Sequence, residues 1–330
     1  MSRKHSQQPH HRDTLFGKRI QEHAPLQGVR LLTLKTEAKD IVTISGGFLG
    51  GSMYNPRENR MLARVVTAML DQGTERRDKI EIREILASVG AAISFSCGTH
   101  WVRFAATCLK QDLGLVVGVL AEQLREPAFK GADLDVVKQR ILAFLEQEKE
   151  DTGTQAEIKL SQILYSPEHP NYILSGAVRA RHVTALTPIH LKKYHEDNFG
   201  LGTMTIVAVG DIDAQELLSA VTKAFGGWKT SPLTLRVAGP AQPDILAARE
   251  YVSMTEKTSV DMVIGQPVGI DVNHPDRYPL GIATEILGGD FSARLMMTVR
   301  DEQGLTYGVY SGISGIQRGI TGHWFTRGTF

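Results

Sequence analysis

The stretch from Asn55 to Thr74 reads NPRENRMLARVVTAMLDQGT, and its apolar residues recur with the period of an amphipathic helix. The spacing i, i+3, i+4, i+7, i+8 gives one continuous stripe, formed by Leu62, Val65, Val66, Met69 and Leu70. We expect this stripe to pack on a core. The opposite face would then look at solvent or a cleft, and it carries Arg64, Thr67, Ala68 and Asp71.

Both ends of this predicted helix carry terminal signals. Asn55 suits the N-cap and Pro56 the first helical position, and Glu58 lies where a capping box places its acid. Gly73 can adopt the left-handed conformation that stops a helix. The pattern therefore predicts a helix that begins at Asn55 and ends near Gly73.

Length and composition indicate a soluble globular protein. With 330 residues the chain can form two domains with separate cores, and 42% hydrophobic and 22% charged residues are ordinary values. Lys and Arg number 37 against 36 Asp and Glu, so charge gives no reason to expect nucleic acid or an anionic membrane as partner. No apolar run approaches the roughly 18 residues of a membrane span.

The N-terminus and the two cysteines leave the compartment open. MSRKHSQQPHHRDT has no apolar segment, so it is not a secretory signal as written, and we predict a disordered tail at residues 1–12. A hairpin is predicted at 91–109, with Cys97 paired near residue 102 and Cys108 near residue 91, so the two cysteines do not lie opposite each other. We expect both to be buried thiols. If the protein is bacterial, both the cytoplasm and the periplasm remain open.

Strand and helix patterns mix without strict alternation, which favours an α+β fold. Strands are predicted at 31–36, 41–48 and 204–209. The glycines at 46–51 lack phosphate-loop spacing and favour close backbone approach. Helices are predicted at 78–89, 112–125, 133–150, 155–165, from 187, and at 214–225. The C-terminal part repeats the order of the first part, which is strands, then a pair of helices, then a hairpin. Its strands are predicted at 250–254 and 260–264, its helices at 276–287 and 292–302, and its last two strands at 305–311 and 320–326.

Two segments carry a family resemblance. They read GGSMYNPRENRMLARVVTAMLDQGTERR, from Gly50, and ATEILGGDFSARLMMTVRDEQGLTYGVYSGIS, from Ala283. Both resemble segments of the pitrilysin/insulinase metallopeptidases, a family that includes mitochondrial processing peptidase and bacterial relatives. The resemblance implies two homologous domains, each a mostly antiparallel sheet covered by helices. We expect these domains at 13–230 and 246–330 around a linker at 231–245, with the second domain incomplete.

The resemblance also implies a zinc site, and its positions lack metal donors. The family's His-x-x-Glu-His motif falls on residues 64–68. Arg64 and Ala68 stand in place of the two histidines, and Thr67 stands in place of the glutamate. The third ligand of the family falls on Leu145, or on Phe144 if the register slips by one. Zinc needs imidazole, thiolate or carboxylate donors, so we expect no cofactor on this chain.

Other acidic and histidine residues offer no replacement site. Glu146 and Glu148 are expected on a solvated helix face. His190 and His195 are five residues apart on one predicted helix, so their side chains would not converge. The remaining histidines beyond the N-terminal region, which include His169, His182, His274 and His323, are isolated along the chain.

Arg300 and Tyr307 match a motif of the C-terminal family segment, seven residues apart as in the family. There the resemblance implies that Arg and Tyr contact the substrate backbone beside the zinc. A guanidinium can donate to peptide carbonyls, and a phenol can donate to the oxygen that becomes negative during attack. A bland alternative is an Arg that ends a helix and a Tyr that packs in a strand.

The retained pair and the missing ligands favour a zinc-free subunit of a heterodimeric peptidase. Its partner would be a catalytic paralogue with an intact His-x-x-Glu-His, and zinc would be bound there. The substrate would be an extended peptide added to a sheet edge. Two alternatives use the same scaffold, a structural or assembly protein and a peptide-binding chamber without hydrolysis.

Overall fold

A computed structural model describes residues 17–241 and 247–330. The chain divides into two compact units. The first contains residues 17–138 and 186–235, and the second contains 139–185 with the described residues from 236 onward. The segment 139–185 thus belongs to the unit of the C-terminal residues, whereas the sequence assigned it to the first domain. The predicted tail lies outside the described residues, as do residues 242–245 of the predicted linker, and the domain boundaries stay a prediction.

The first unit alternates strands and helices irregularly. Its strands are β1 Gln21–Leu26, β2 Val29–Lys35, β3 Ile41–Leu49, β4 Ala92–Cys97, β5 Trp101–Leu109 and β6 Met204–Gly210. Its helices are α1 Leu62–Met69, α2 Lys79–Ser88, α3 Leu113–Arg125, the first part of α4 Gly131–Lys149, α7 Pro188–Asn198 and α8 Ala214–Phe225. The second unit contains α5 Thr152–Leu164 and α6 Gly176–Thr184 between α4 and α7.

Six strands form one sheet in the order β1-β2-β6-β3-β5-β4. Every neighbouring pair is antiparallel except β2 and β6, in which Val29 lies opposite Met204. β6 follows β5 by almost a hundred residues in the chain, yet it lies between β2 and β3. β1 and β4 form the edges. The mostly antiparallel α+β architecture confirms the predicted fold class.

The core of the first unit comes from alternating strand residues and aromatic rings. β5 buries every second side chain from Val102 to Cys108, as a strand covered on one face requires. The Phe48 ring lies edge-on to Phe199, with centroids 5.0 Å apart. The largest fully buried side chains of this unit are Phe48, Phe199, Phe225, Leu31, Ile44, Met69, Leu70, Leu113, Leu120, Leu124 and Leu134.

The helix α1 begins later than its terminal signals indicated. Residues 55–61 form turns, and Leu62 is the first helical residue, so the predicted start at Asn55 was wrong. Asn55 still satisfies the helix end: its side-chain oxygen accepts from Ala63 N at 2.7 Å, and its amide donates to Arg60 O at 2.6 Å. One side chain therefore holds the preceding turn and caps the helix. Asp78 caps α2 in the ordinary way, in a capping box with Glu81.

The glycines after β3 allow close backbone approach, as the sequence indicated. A Cβ on Gly51 would lie 2.3 Å from Gly98 O and 2.6 Å from Thr99 O. The amide of Gly51 donates to His100 O at 3.0 Å. The β4–β5 turn thus lies directly on the end of β3, and only a residue without a side chain fits there.

The C-terminal part of the second unit has a three-stranded antiparallel sheet and one long helix. The elements are β7 Asp261–Pro267, α9 Arg277–Gly288, a π-helical segment Met296–Glu302, β8 Val309–Ser314 and β9 His323–Thr329, with sheet order β7-β9-β8. α9 ends against β8, where a Cβ on Gly288 would lie 2.8 Å from Ser311 N. α5 packs on β7, and Arg327 Nη1 of β9 donates to Glu157 of α5 at 2.7 Å.

Several local predictions were wrong. β1 and α6 were not predicted, because β1 is polar and largely exposed and α6 has a weak apolar stripe. The predicted strand at 250–254 is irregular, and the last two strands begin four and three residues later than predicted. The predicted second helix of the C-terminal part is π-helical over most of its length.

Candidate functional site

The degenerate metal positions of α1 do not form an open site. Arg64 is exposed and Ala68 is half-buried, but Thr67 is only 4% exposed and its hydroxyl donates to Ala63 O at 2.9 Å. The sequence had placed Thr67 on the solvent or cleft face, and this was wrong. A short α1 that buries Leu62, Ala63, Val65, Val66, Thr67 and Met69 has a covered surface wider than one stripe.

Cys97 lies beside these positions, which the sequence did not predict. Burial raises the pKa of its thiol to about 11, while the neighbouring Thr67 hydroxyl and the charge of Arg64 act in the opposite direction. The thiol is therefore protonated near neutral pH and is neither a ready zinc ligand nor a ready nucleophile. The predicted hairpin register is confirmed, because Cys97 lies opposite Val102. Cys97 and Cys108 are both free thiols.

The predicted third metal position lies in the half of α4 that belongs to the second unit. Leu145 is 2% exposed, and Phe144, the alternative, is an exposed aromatic ring. Neither side chain offers a metal donor. Glu146 is exposed beside Lys149, as predicted.

Glu148 was expected on the solvated face, and this was wrong. It forms a two-pronged ion pair with Arg179 of α6, with Nη1 and Oε2 3.0 Å apart and both side chains 10% exposed. A guanidinium matches a carboxylate in this geometry, so the pair joins α4 to α6. The charge of Glu148 is therefore committed to Arg179 rather than available as a ligand.

The histidines in the described part of the chain are not arranged as a metal site. His195 is buried and bonds to Leu124 O at 2.8 Å, while His190 lies exposed at the start of α7 next to Thr187. In the second unit, Tyr165 stacks on His169 and its hydroxyl lies 2.9 Å from His323 Nδ1. This contact joins two histidines that are isolated along the sequence, and no local signal could have revealed it.

The residues present do not fit a zinc ion. Within residues 17–241 and 247–330, no group of three or more His, Cys, Asp or Glu side chains could hold a metal. Arg64 would place a permanent positive charge at a ligand position, and Thr67, Ala68 and Leu145 offer no donor of the kind zinc prefers.

Arg300 and Tyr307 lie together on the surface of the second unit. The guanidinium carbon of Arg300 is 5.3 Å from the centroid of the Tyr307 ring and 5.3 Å from that of Phe291. Tyr307 is 83% exposed, so it does not pack in a strand, and Arg300 lies inside the π-helical segment. π-helical turns are frequent at functional sites. The structure therefore brings the two predicted substrate residues into contact.

The strand ends at the β1 edge form a cavity elsewhere on the first unit. It has a volume of about 530 Å³ and is lined by residues of β1, β2 and the start of β6 with the two residues before it, including the Glu22–Arg30 ion pair. None of the predicted site residues lines it. Among the helices of the described chain, none is long and apolar enough to cross a bilayer.

Family comparison agrees with this arrangement. Residues 30–175 match the family model described as Insulinase (Peptidase family M16), and residues 185–327 match the model described as Peptidase M16 inactive domain. The two matches adjoin and contain both segments that carry the resemblance. The chain belongs to the peptidase M16 family.

The named relatives include one described as a protease and one described as a non-peptidase. A protein described as an uncharacterized zinc protease from Streptomyces coelicolor is 25% identical over 75% of this chain and 54% of its own length. One described as the non-peptidase homolog YmxG from Helicobacter pylori is 23% identical over 80% of this chain and 60% of its own. The chain thus spans little more than half the length of these relatives.

Solved structures share the fold at low identity. A peptidase M16 inactive domain from Pseudomonas fluorescens superposes with a TM-score of 0.81 at 22% identity, over 94% of this chain and 74% of that one. A Helicobacter pylori protease gives 0.79 at 15% identity, also over 94% and 74%. These likenesses establish the fold alone.

Proposed function

We propose that this chain is the zinc-free subunit of a two-chain peptidase and supplies substrate contacts to a zinc site on its partner. One observation carries the proposal. The guanidinium carbon of Arg300 lies 5.3 Å from the centroid of the exposed Tyr307 ring. The family's metal positions, in contrast, carry Arg64, Thr67, Ala68 and Leu145. Half of the family's active-site chemistry is thus retained and the other half is missing.

The two retained side chains suit contacts with a peptide backbone. The guanidinium of Arg300 has several N–H donors in one plane, which can hold consecutive carbonyl oxygens. The exposed phenol of Tyr307 can donate to the oxygen that gains charge when a carbonyl is attacked. Aligning the peptide and stabilising that oxygen both lower the barrier without a metal on this chain.

The peptide itself would bind as an added strand. An extended peptide can pair with the edge of a sheet through backbone hydrogen bonds. Such binding is largely independent of side-chain identity. It suits a protein that accepts varied extended peptides, which is the substrate class we assign.

The partner would be a paralogue with an intact His-x-x-Glu-His, and zinc would be bound only there. The description of the Helicobacter relative as a non-peptidase homolog supports the inactive half of this proposal. Peptide binding without hydrolysis is the second candidate, because the same missing donors and the same exposed pair favour it. A purely structural or assembly role would need neither Arg300 nor Tyr307.

The test is peptide cleavage by the separate chains and by their mixture. We expect the chain alone to be inactive and the mixture with the paralogue to cleave a fluorogenic unfolded peptide. Replacing Arg300→Ala together with Tyr307→Phe should lower the kcat of the mixture about 100-fold, the scale of one lost oxyanion donor. Arg294→Ala, an exposed arginine of the same segment, is the matched control and should leave kcat unchanged.

Three results would distinguish the candidates. Stoichiometric zinc on this chain with hydrolysis by it alone would overturn the proposal. Peptide binding that depends on Arg300, without cleavage in the mixture, would favour the binding chamber. An unchanged rate with the double variant would favour a structural role.

A further inference from the structure

Phe291 is an exposed aromatic residue in contact with Arg300. The Arg300 guanidinium carbon lies 5.3 Å from the centroid of its ring, the same distance as from the Tyr307 ring. Phe291 is 55% exposed, yet the Arg300 side chain between these residues is only 31% exposed. The two rings therefore cover part of the Arg300 side chain, while its in-plane N–H groups can still donate to a substrate.

The backbone of Phe291 is fixed independently of this contact. Its amide donates to the Asp290 carboxylate, and Ala293 N donates to Asp290 O at 3.0 Å. The turn before it follows the last residue of α9, Gly288, whose backbone lies against Ser311 of β8. The ring is thus presented by a turn that is anchored on the sheet.

The Tyr307 side of the contact is anchored on the same strand. Tyr307 lies two residues before β8, whose first residue Val309 is buried and whose amide lies 3.3 Å from Met296 Sδ at the start of the π-helical segment. Both rings therefore approach Arg300 from the ends of elements that pack on β8. Arg300 itself is a long side chain with many rotamers.

A competing partner lies next to Arg300. The Asp301 carboxylate is 3.7 Å from Arg300 Nη1 and is exposed. A guanidinium that turned fully toward this carboxylate would spend two N–H groups on it. The contact with the Phe291 ring opposes that rotation, because a guanidinium turned onto Asp301 would lose its attraction to the ring face.

We propose that Phe291 is a positioning residue: its ring holds the Arg300 guanidinium beside Tyr307 and keeps it from turning fully onto Asp301, so that its donors stay available to the peptide. This inference rests on the proposed function for its consequence in catalysis. The orientation of Arg300 can be measured without any partner, so the two proposals can fail separately.

The first measurement uses the full chain alone, with ¹⁵N-arginine labelling and NMR. The Nε–Hε signal of Arg300 is assigned by its loss in Arg300→Lys. We expect Phe291→Leu to remove a ring-current shift from this signal and to speed its exchange with water about threefold, whereas Phe291→Tyr keeps both. Met297→Leu, at an exposed apolar residue of the π-helical segment, is the control. An unchanged Arg300 signal in Phe291→Leu would overturn the inference.

The second measurement uses peptide cleavage by the mixture with the paralogue. We expect Phe291→Leu to raise KM about fivefold with a smaller change in kcat, and Phe291→Tyr to restore it. Asp301→Asn in the Phe291→Leu background should recover part of the loss, because the competing carboxylate is gone. A loss that Phe291→Tyr and Asp301→Asn both fail to recover would indicate mere unfolding and overturn the inference.

The outcomes separate the two proposals. If Arg300→Ala leaves turnover unchanged, the proposed function of Arg300 is wrong, whatever the NMR signal does. If Arg300→Ala lowers turnover but Phe291→Leu does not, the function stands and the positioning role of Phe291 is wrong.

Discussion

The side chain of His195 is buried among aromatic neighbours, which sets its response to acid. Burial lowers the pKa of its imidazole to about 4 from the ordinary 6.5, although the bond to Leu124 O opposes the shift. The rings of Phe129 and Phe199 lie 5.7 and 4.8 Å from it, centroid to centroid. These apolar surroundings solvate a charged imidazole poorly, so the folded chain favours the neutral form of His195.

We expect the free energy of unfolding to fall as pH is lowered from 6.5 toward 4. In this window the unfolded chain binds a proton at His195 and the folded chain does not, so acid favours unfolding; above pH 6.5 neither state is protonated. The loss should approach about 3 kcal/mol at pH 4. Burial also lowers the pKa of His323, which adds a contribution of the same sign.

Denaturant unfolding at a series of pH values measures this slope. His195→Gln keeps an N–H donor for Leu124 O and should flatten the profile, even if it lowers stability at every pH. His190→Gln, at the exposed histidine of the same helix, should leave the slope intact. A slope that survives His195→Gln would contradict the assignment.

The buried pair of Glu148 and Arg179 gives a second prediction. Glu148→Gln removes one charge and leaves the guanidinium of Arg179 unpaired at 10% exposure, so we expect a loss of about 3 kcal/mol in unfolding free energy. Glu146→Gln, two residues away and exposed, should cost less than about 0.5 kcal/mol. Chemical denaturation of both variants at pH 7 measures the difference. Equal small effects would show that the pair contributes little.

At the scale of elements, glycine positions differ in whether they tolerate a side chain. Gly51→Ala would place a methyl group 2.3 Å from the Gly98 carbonyl oxygen, so the β3 end and the β4–β5 turn must separate, at a cost of about 3 kcal/mol. Gly118 lies in the exposed face of α3 with nothing within 4 Å, so Gly118→Ala should stabilise by about 1 kcal/mol. Thermal unfolding of the two variants should therefore shift in opposite directions.

Local patterns predicted the elements better than their ends. The 97–102 register could be predicted because it depends on residues close in sequence. The start of α1 could not, because Asn55 caps Ala63 across a folded turn. Glu148 was misplaced because its partner lies 31 residues away on α6, and long-range pairing leaves no periodic trace.

At the candidate site, too, local sequence features could be predicted and long-range contacts could not. The contact between Arg300 and Tyr307 could be anticipated through a resemblance that spans their seven-residue spacing, but the ring of Phe291 beside them could not. The lost metal positions could be read from residue identity alone. That Thr67 is buried depended on how α1 packs, which its sequence periodicity only partly determines.

On the scale of the whole molecule, residues 139–185 belong to the unit formed with the C-terminal sheet. α5 packs on β7, and Thr152 donates to Asp261 while Glu157 accepts from Arg327. A fragment that ends at residue 230, the predicted limit of the first domain, would contain α5 without this sheet. We expect the amides of α5 to exchange with solvent much faster in that fragment than in the full chain.

Hydrogen exchange followed by mass spectrometry measures this difference. The amides of α3 provide the internal control, because their neighbours β5 and α8 remain in the fragment. Equal protection of α5 in fragment and full chain would show that residues 139–185 fold with the first domain, as the sequence indicated.

The central place of β6 has a consequence for synthesis on the ribosome. β2 and β3 emerge early, but β6, which must lie between them, comes more than 150 residues later, so one edge of each strand lacks its final neighbour until then. During that interval their inner edges expose unpaired amides and carbonyls to any passing extended polypeptide. We therefore expect nascent chains stalled before residue 204 to recruit chaperones, and chains released after residue 235 to need them far less.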